Sequence, residues 1–385
     1  MTPNRNEIKA RLKALELGTP SWGYADSGTR FHVFRRPYTP RCLEERLQDA
    51  AQVQRLTGIC PYFDLHTALD RDADWASVRR LAESLGLKIG AVNPHLYADD
   101  DYVLGSVCNP SEKIRQKSLA ALLDGVEIAR IVGAKVMSMW FADGTNAPGQ
   151  DDFRLRHVRL VSALQTVYNA MTPDMRMVLE YKFFEPGFYH MDIADWGTAY
   201  MIAHNLGDRA RLLIDMGHHP LGVNIEQIVA LLLMQDKLGG FHFNDKKYGD
   251  DDLTVGSIQP YQLFLVCCEL VAAQRAPELV RRVQHVALMI DQNHNVQNQI
   301  EGTIQSALAI HSAFAKALSV DYDSLEKARA SGDVVIAEEF VKSAFEEDVR
   351  PLLKETRVEM GLDPDPLQAF RKSGYERKMA AQRAS

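Results

Sequence analysis

The sequence predicts an α/β protein whose parallel strands close into a (β/α)8 barrel. Two observations carry that expectation. Short apolar runs alternate with longer helix-period segments along the 385 residues, eight times over. Apolar strands joined by helical crossovers make a parallel sheet, and eight such units close on themselves. The second observation is a missing signal. The rival, a doubly wound open sheet, usually carries a glycine-rich phosphate loop after its first strand. "PSWGYADSGTRF" at 20–31 contains no GxGxxG.

In chain order, residues 1–18 read as one amphipathic helix. Strands are expected at 20–24, 62–66, 88–92, 135–142, 175–181, 211–216, 240–245 and 286–292. Between them "LEERLQDAAQVQRLTG", "DWASVRRLAESLG" and "SEKIRQKSLAALLDGVEIARIVG" repeat apolar residues every three or four positions, as a helix with one buried face does. Gly58, Gly86, Gly133, Gly207 and Gly239 stand where helices should end, since glycine accepts positive φ at little cost. The expected barrel domain runs over 19–318. Residues 319–385 form a charged helical arm, which "SGD" at 331–333 divides into at least two helices. Its end, "RKSGYERKMAAQRAS", is basic and expected to be partly mobile. The arm can pack on its own barrel or on a neighbouring subunit.

Composition narrows the function. Hydrophobic residues make up 46% and charged residues 25%, the balance of a globular protein. A net charge of −7 argues against nucleic acid or an anionic membrane as partner, because phosphates need a basic face. No signal peptide and no run of about 18 apolar residues is seen. The five cysteines are odd in number and lack CxxC spacing, which fits free thiols. A cytoplasmic protein is expected.

Function in such barrels gathers where strands end. The fifth run ends at Glu180, with Lys182 two residues on. The sixth ends at Asp215, followed by His218 and His219. The seventh carries His242 and Asp245, then a loop with Asp250, Asp251 and Asp252. The eighth ends at Asp291, with His294 nearby. A single acid at a strand end is most often a helix cap or loop charge. One histidine on a strand is most often a satisfied core group. Four consecutive strand ends delivering Glu180, Asp215, His242 and Asp291 to one rim is a different matter. Without a cation they would repel one another and lose hydration. Carboxylates with imidazole suit Mn2+, Mg2+ or Co2+. His218, Asp250 and Asp252 are left for a second, more open site, "DxD" placing two carboxylates on one side of an extended segment.

"LEYKFFEP", "IDMGHH", "NIEQIVALLL", "GGFHFNDKKYGDDDL" and "WFADGTNAPGQDD" together resemble the L-rhamnose isomerase family, from about residue 20 to about 315. The resemblance implies a xylose-isomerase-like barrel, to which the charged helical arm is a C-terminal extension. It implies two divalent ions per subunit, Mn2+ foremost with Mg2+, Co2+ or Zn2+ as alternatives. It also implies a homo-oligomer, a tetramer or else a dimer, acting on a small sugar. The structural ion would fall on Glu180, Asp215, His242 and Asp291, and the catalytic ion on His218, Asp250 and Asp252. Lys182, His218, Asp252 and Asp291 become the expected catalytic residues. His66, Trp140, Asp143 and Lys182 become the expected sugar contacts. Two segments depart from the family pattern. "HTALD" keeps His66 and Asp70 but has Leu69 where an aromatic is usual, and "VNPHLYADD" has Pro94, His95, Leu96 and Tyr97 in place of the usual residues. Both changes fall on the rim and neither on a ligand, so the chemistry is expected to persist while the sugar differs. The C1–C2 hydrogen could move as a hydride or through an enediol, with Asp291 or Glu180 as base. A sugar epimerase on the same barrel and a non-catalytic sugar-binding relative are the alternatives.

Overall fold

The computed structural model describes residues 4–29, 31–71, 74–185, 189–294 and 296–383. Residues 1–3 of the expected first helix and 384–385 of the expected arm lie outside this set.

Eight parallel strands close into a barrel in sequence order. They are β1 Gly18–Pro20, β2 Tyr62–His66, β3 Lys88–Asn93, β4 Val136–Met139, β5 Arg176–Glu180, β6 Ala210–Asp215, β7 Leu238–Phe243 and β8 Ala287–Ile290. Helix α1 (Arg5–Lys13) precedes them. Then α2 (Leu43–Thr57), α3 (Trp75–Ser84), α4 (Glu112–Val132), α5 (Phe153–Ala170), α6 (Trp196–Leu206), α7 (Ile225–Met234) and α8 (Pro260–Arg275) follow the first seven strands. A short α9 (Val280–Val283) leads into β8, and α10 (Gln299–Leu318) completes the ring.

The first strand differs from expectation. It is Gly18–Pro20, and 21–24 form a single 3-10 turn. Gly18 pairs with Met289 of β8 and Tyr62 of β2, so this short strand closes the barrel through its neighbours rather than through an apolar run of its own. The first helix is likewise shorter than 1–18. The Asn4 side chain and Glu7 cap its start, and it ends before Ala14. Gly58 and Gly133 do end helices, at φ 70° and 80°. Gly239 instead lies within β7.

The core has two parts. The larger lies between barrel and helices. The smaller fills the barrel interior with Ala91, Val136, Val178, Leu213 and Met289. One charged side chain intrudes there. Asp64 of β2 is 1% exposed, and a Cβ on Gly18 or Gly90 would sit 2.3 or 2.5 Å from its oxygens. Two glycines on the flanking strands thus make room for a buried carboxyl, which burial pushes up to about 7.

The arm comprises α11 (Tyr322–Ser331), α12 (Val334–Glu346), α13 (Arg350–Glu359), α14 (Pro366–Ser373) and α15 (Tyr375–Arg383), with the break at 331–333 where expected. It packs on its own barrel. Helix α13 lies against α1, where Arg5 meets Glu355 at 2.9 Å. The basic end, expected to be partly mobile, is helical and docked. Arg383 is buried in a two-pronged contact with Asp49 of α2, at 2.8 and 2.9 Å. Among the described residues no helix is long and apolar enough to cross a membrane.

Candidate metal centre

The sheet register sets the site. Asp215 at the end of β6 stands opposite His242 of β7, and Met289 of β8 stands opposite the same histidine. Glu180 pairs with Leu213, one pleat earlier on β6. Asp291 follows β8 immediately, its amide still bonded to Phe243 of β7. Four strand ends therefore turn their polar side chains toward one point.

Glu180, Asp215, His242 and Asp291 each offer a ligand atom, and the four atoms lie within 4.8 Å of one another. His242 Nδ1 is 3.2 Å from Glu180 Oε2, 3.3 Å from Asp291 Oδ2 and 4.0 Å from Asp215 Oδ2. It is buried, yet it makes no well-aligned hydrogen bond with any of them. The donors point at a common centre rather than at each other. That arrangement suits a divalent cation.

The charges agree. Burial would lower His242, but Glu180 and Asp291 outweigh it and raise the imidazole to about 10. Burial would raise Glu180, but His242 and then His218 hold it below the usual carboxylate range. Burial raises Asp215 to about 6 and also raises Asp291, with the other carboxylates adding to it in each case. Three carboxylates held this close require positive charge among them, and protons on the imidazoles or a cation can supply it.

Neighbouring groups orient these side chains, as a metal site would require. Asp215 accepts from the Gly217 amide at 2.7 Å and from Asn244 Nδ2 at 3.0 Å to each oxygen. Asp291 Oδ1 accepts the Trp22 indole N–H at 2.7 Å. Sequence reasoning missed both Trp22 and Asn244. A signal existed for Asn244, two residues past His242 in "FHFND". None marked Trp22, which reads as strand interior.

His218, Asp250 and Asp252 are brought to the same mouth but not into one tight set. His218 Nε2 is 2.9 Å from Asp250 Oδ1, and its Nδ1 is 3.3 Å from Glu180 Oε1. Asp252 accepts from Asn293 at 3.0 Å. Burial raises its carboxyl well above the usual range, and the charges of Asp291, Asp250 and Asp215 add to the effect. Among the described residues these three are not a group converging within 4.8 Å. The loop is also not extended. Asp250 and Asp252 take left-handed φ of 51° and 45°, so period-two alternation does not set their directions. Asp251 faces away, accepting from the amides of Lys247 and Tyr248. Asp245 caps the turn into α8 through the amides of Ile258 and Gln259.

Lys182 reaches Asp250 Oδ2 at 2.5 Å and Glu185 at 2.8 Å, with its ammonium 5.4 Å from the Trp140 ring centre. The carboxylates overcome its burial and raise it further. Asp250 is held down to about 2, burial being outweighed by His218 and Lys182. From Trp140 a chain of ring contacts runs back to the ligands. Tyr97 meets Trp140 edge-on at 5.0 Å, His66 lies 2.8 Å from the Tyr97 hydroxyl, and Trp22 packs on both His66 and His242. The mouth is thus a closed ring, acidic on one arc and aromatic on the other.

Asp143 lies elsewhere. It is buried and accepts from the Ser106 amide and hydroxyl and the Cys108 amide, at 2.6 to 2.9 Å. It groups with Cys108 and Asp192. That group does not fit a cation, because Arg156 already sits 2.7 Å from Asp192 and burial raises the Cys108 thiol.

The family described as the xylose isomerase-like TIM barrel matches residues 44–264. The chain is 40% identical over 381 residues to a probable sugar isomerase of Rhizobium meliloti (strain 1021), covering 98% of this chain and 88% of that one. It is 39% identical over the same shares to a probable sugar isomerase of Mesorhizobium japonicum. Among solved structures, it is similar to 3-keto-D-glucoside 4-epimerase from E. coli, with a TM-score of 0.53 at 14% identity over 77% of this chain and 98% of that one. It is also similar to a D-psicose 3-epimerase, with a TM-score of 0.52 at 10% identity over 79% and 97%. At these identities the structural likeness speaks for the fold.

Proposed function

The chain belongs to the xylose isomerase-like TIM barrel family, and from that premise we propose that it is a metal-dependent sugar isomerase interconverting an aldose and its ketose, L-rhamnose or a related aldose being the substrate. The observation that carries the reading is the convergence of Glu180, Asp215, His242 and Asp291 beside a lysine–carboxylate pair. Those four residues would hold one divalent ion, Mn2+ foremost. His218, Asp250 and Asp252 would serve a second. An ion there supplies Lewis-acid polarisation of the hydroxyl and carbonyl oxygens of an open-chain sugar.

The protein's own groups do the rest. Lys182, kept protonated by Asp250 and Glu185, can stabilise negative charge on a sugar oxygen. Asp250 lies between Lys182 and His218, one oxygen on each, and holds both side chains in place at the mouth. Trp22, Tyr97 and Trp140 offer ring faces and edges against which the carbon chain can lie, away from water. The same reading includes a homo-oligomer, tetrameric or dimeric, which light scattering would size.

The test is ketose formation over a panel of aldoses, L-rhamnose included, with EDTA-stripped protein reloaded with Mn2+. Metal-restored ketose formation is expected. An epimer formed instead would move the protein to the epimerases. No turnover despite bound metal would remove the enzymatic reading.

A further inference from the structure

His95 and Tyr97, two of the residues that depart from the family pattern, meet His66 at the mouth. His95 Nδ1 lies 3.2 Å from His66 Nε2, and the Tyr97 hydroxyl lies 2.8 Å from the same nitrogen. The backbone fixes where the protons are. The Leu69 amide donates to His66 Nδ1 at 3.2 Å, and the Ala98 amide donates to His95 Nε2 at 3.1 Å. An amide N–H can only donate, so both of those nitrogens carry lone pairs. A neutral imidazole has one N–H and one acceptor nitrogen. The proton of His66 is therefore on Nε2, and that of His95 on Nδ1. Burial keeps both rings neutral, lowering His66 to about 4 and lowering His95 as well.

Two N–H groups now face each other across 3.2 Å and cannot bond. The His66 N–H goes to the Tyr97 oxygen instead. His95 Nδ1–H and the Tyr97 O–H are left as neutral donors side by side, with no acceptor of their own among the described residues. Their rings are 3.9 Å apart, and His95 and Tyr97 are both partly open to solvent.

In a closed barrel of eight strands, β2 and β3 face β6 and β7 across the mouth. The donors thus stand opposite Asp215 and His242. A sugar whose reacting carbons are at the ligand arc would turn its far end toward them. A hydroxyl oxygen there can accept both protons. A methyl group would strip both donors of water and return nothing.

We propose that His95 Nδ1–H and Tyr97 O–H clamp one hydroxyl oxygen at the end of the sugar remote from the metal ligands. The substrate class is then an aldose hydroxylated at that end rather than its 6-deoxy counterpart. This inference rests on the sugar-isomerase reading and narrows its substrate.

L-mannose and L-rhamnose differ only in the C6 hydroxyl and make the test pair. For the Mn2+-loaded protein, kcat/KM for L-mannose is expected to exceed that for L-rhamnose by about tenfold or more. His95→Phe keeps a ring against Tyr97 without the N–H, and should erase that preference. His95→Asn places an amide N–H2 near the Nδ1 position and should restore part of it. Independently, two-bond 1H–15N correlation spectra of the metal-free protein should find His95 protonated on Nδ1 and His66 on Nε2. An unchanged preference in His95→Phe, a wild-type preference for L-rhamnose, or a His95 proton on Nε2 would each overturn the clamp. If no sugar turns over, the isomerase reading fails instead. The clamp is then judged by the spectra and by titrating the two sugars against the protein, where equal affinity would overturn it.

Discussion

Trp22 donates its indole N–H to Asp291 Oδ1 at 2.7 Å, leaving Asp291 Oδ2 to face His242 at 3.3 Å. The contact crosses the seam where β1 and β8 close the barrel. It fixes which oxygen of Asp291 is free for a cation.

Trp22→Phe should therefore keep the fold and lose the orientation of the Asp291 carboxylate. Removing such a partner typically costs about 10–100-fold in metal affinity. Mn2+ titration of the stripped variant by calorimetry would read it. Wild-type affinity would mean that Asp291 is oriented without the indole.

Asp250→Asn should leave folding intact, because asparagine tolerates the left-handed φ of 51°. It removes the charge shared by Lys182 and His218. Turnover should fall by about 100-fold or more, the usual cost when a group that stabilises transition-state charge loses its position. Loss of the circular-dichroism melt along with activity would assign Asp250 to the scaffold instead.

Gly18→Ala would bring a Cβ to 2.3 Å from Asp64 Oδ2. A destabilisation of about 1–3 kcal/mol is expected from the overpacking. Combining it with Asp64→Ala should recover part of that loss, since the two sites share one space. Additive losses in urea unfolding would contradict the shared-space account.

His311 on α10 is buried, and burial, then Arg357, lowers its imidazole from 6.5 to about 4. The unfolded chain takes up a proton below pH 6.5 that the folded chain refuses until about 4. The sign follows. Relative to His311→Leu, the wild type keeps its full stability above pH 6.5 and loses it as pH falls toward 4, at up to about 1.4 kcal/mol per pH unit. Denaturant midpoints of both proteins over that window would show diverging curves. Parallel curves would mean that the histidine is protonated in the fold.

Much of this was legible in the sequence, for a physical reason. Glu180, Asp215 and Asp291 each close an apolar run and His242 lies within one, so strand periodicity alone carries them to one rim. β1 was misplaced because Gly18, Thr19 and Pro20 have no apolar run and borrow their pairing from both neighbours. The structure brings the loop carboxylates Asp250 and Asp252 to the mouth, beside His218 and Asn293. Their left-handed backbone, which replaces the expected extended segment, is a property of the folded turn rather than of composition. Asp143 stands past the end of β4, as a site residue should, yet the chain from Gly105 to Cys108 folds back onto its carboxylate. Nothing local in the sequence announces a partner 37 residues away.

The docked end of the arm carries a consequence for biosynthesis. Arg383 and Asp49 are 334 positions apart. A ribosome adding about 5–20 residues per second needs on the order of tens of seconds to cover that distance. Throughout that time α2 has emerged with Asp49 awaiting its guanidinium and the arm-facing side of the first barrel unit uncovered. The clasp that ties the first helical layer down is made only after all eight strands. A nascent chain of this protein therefore carries its first barrel unit unclasped from the emergence of α2 until Arg383 is made, the interval in which a holding chaperone would matter most.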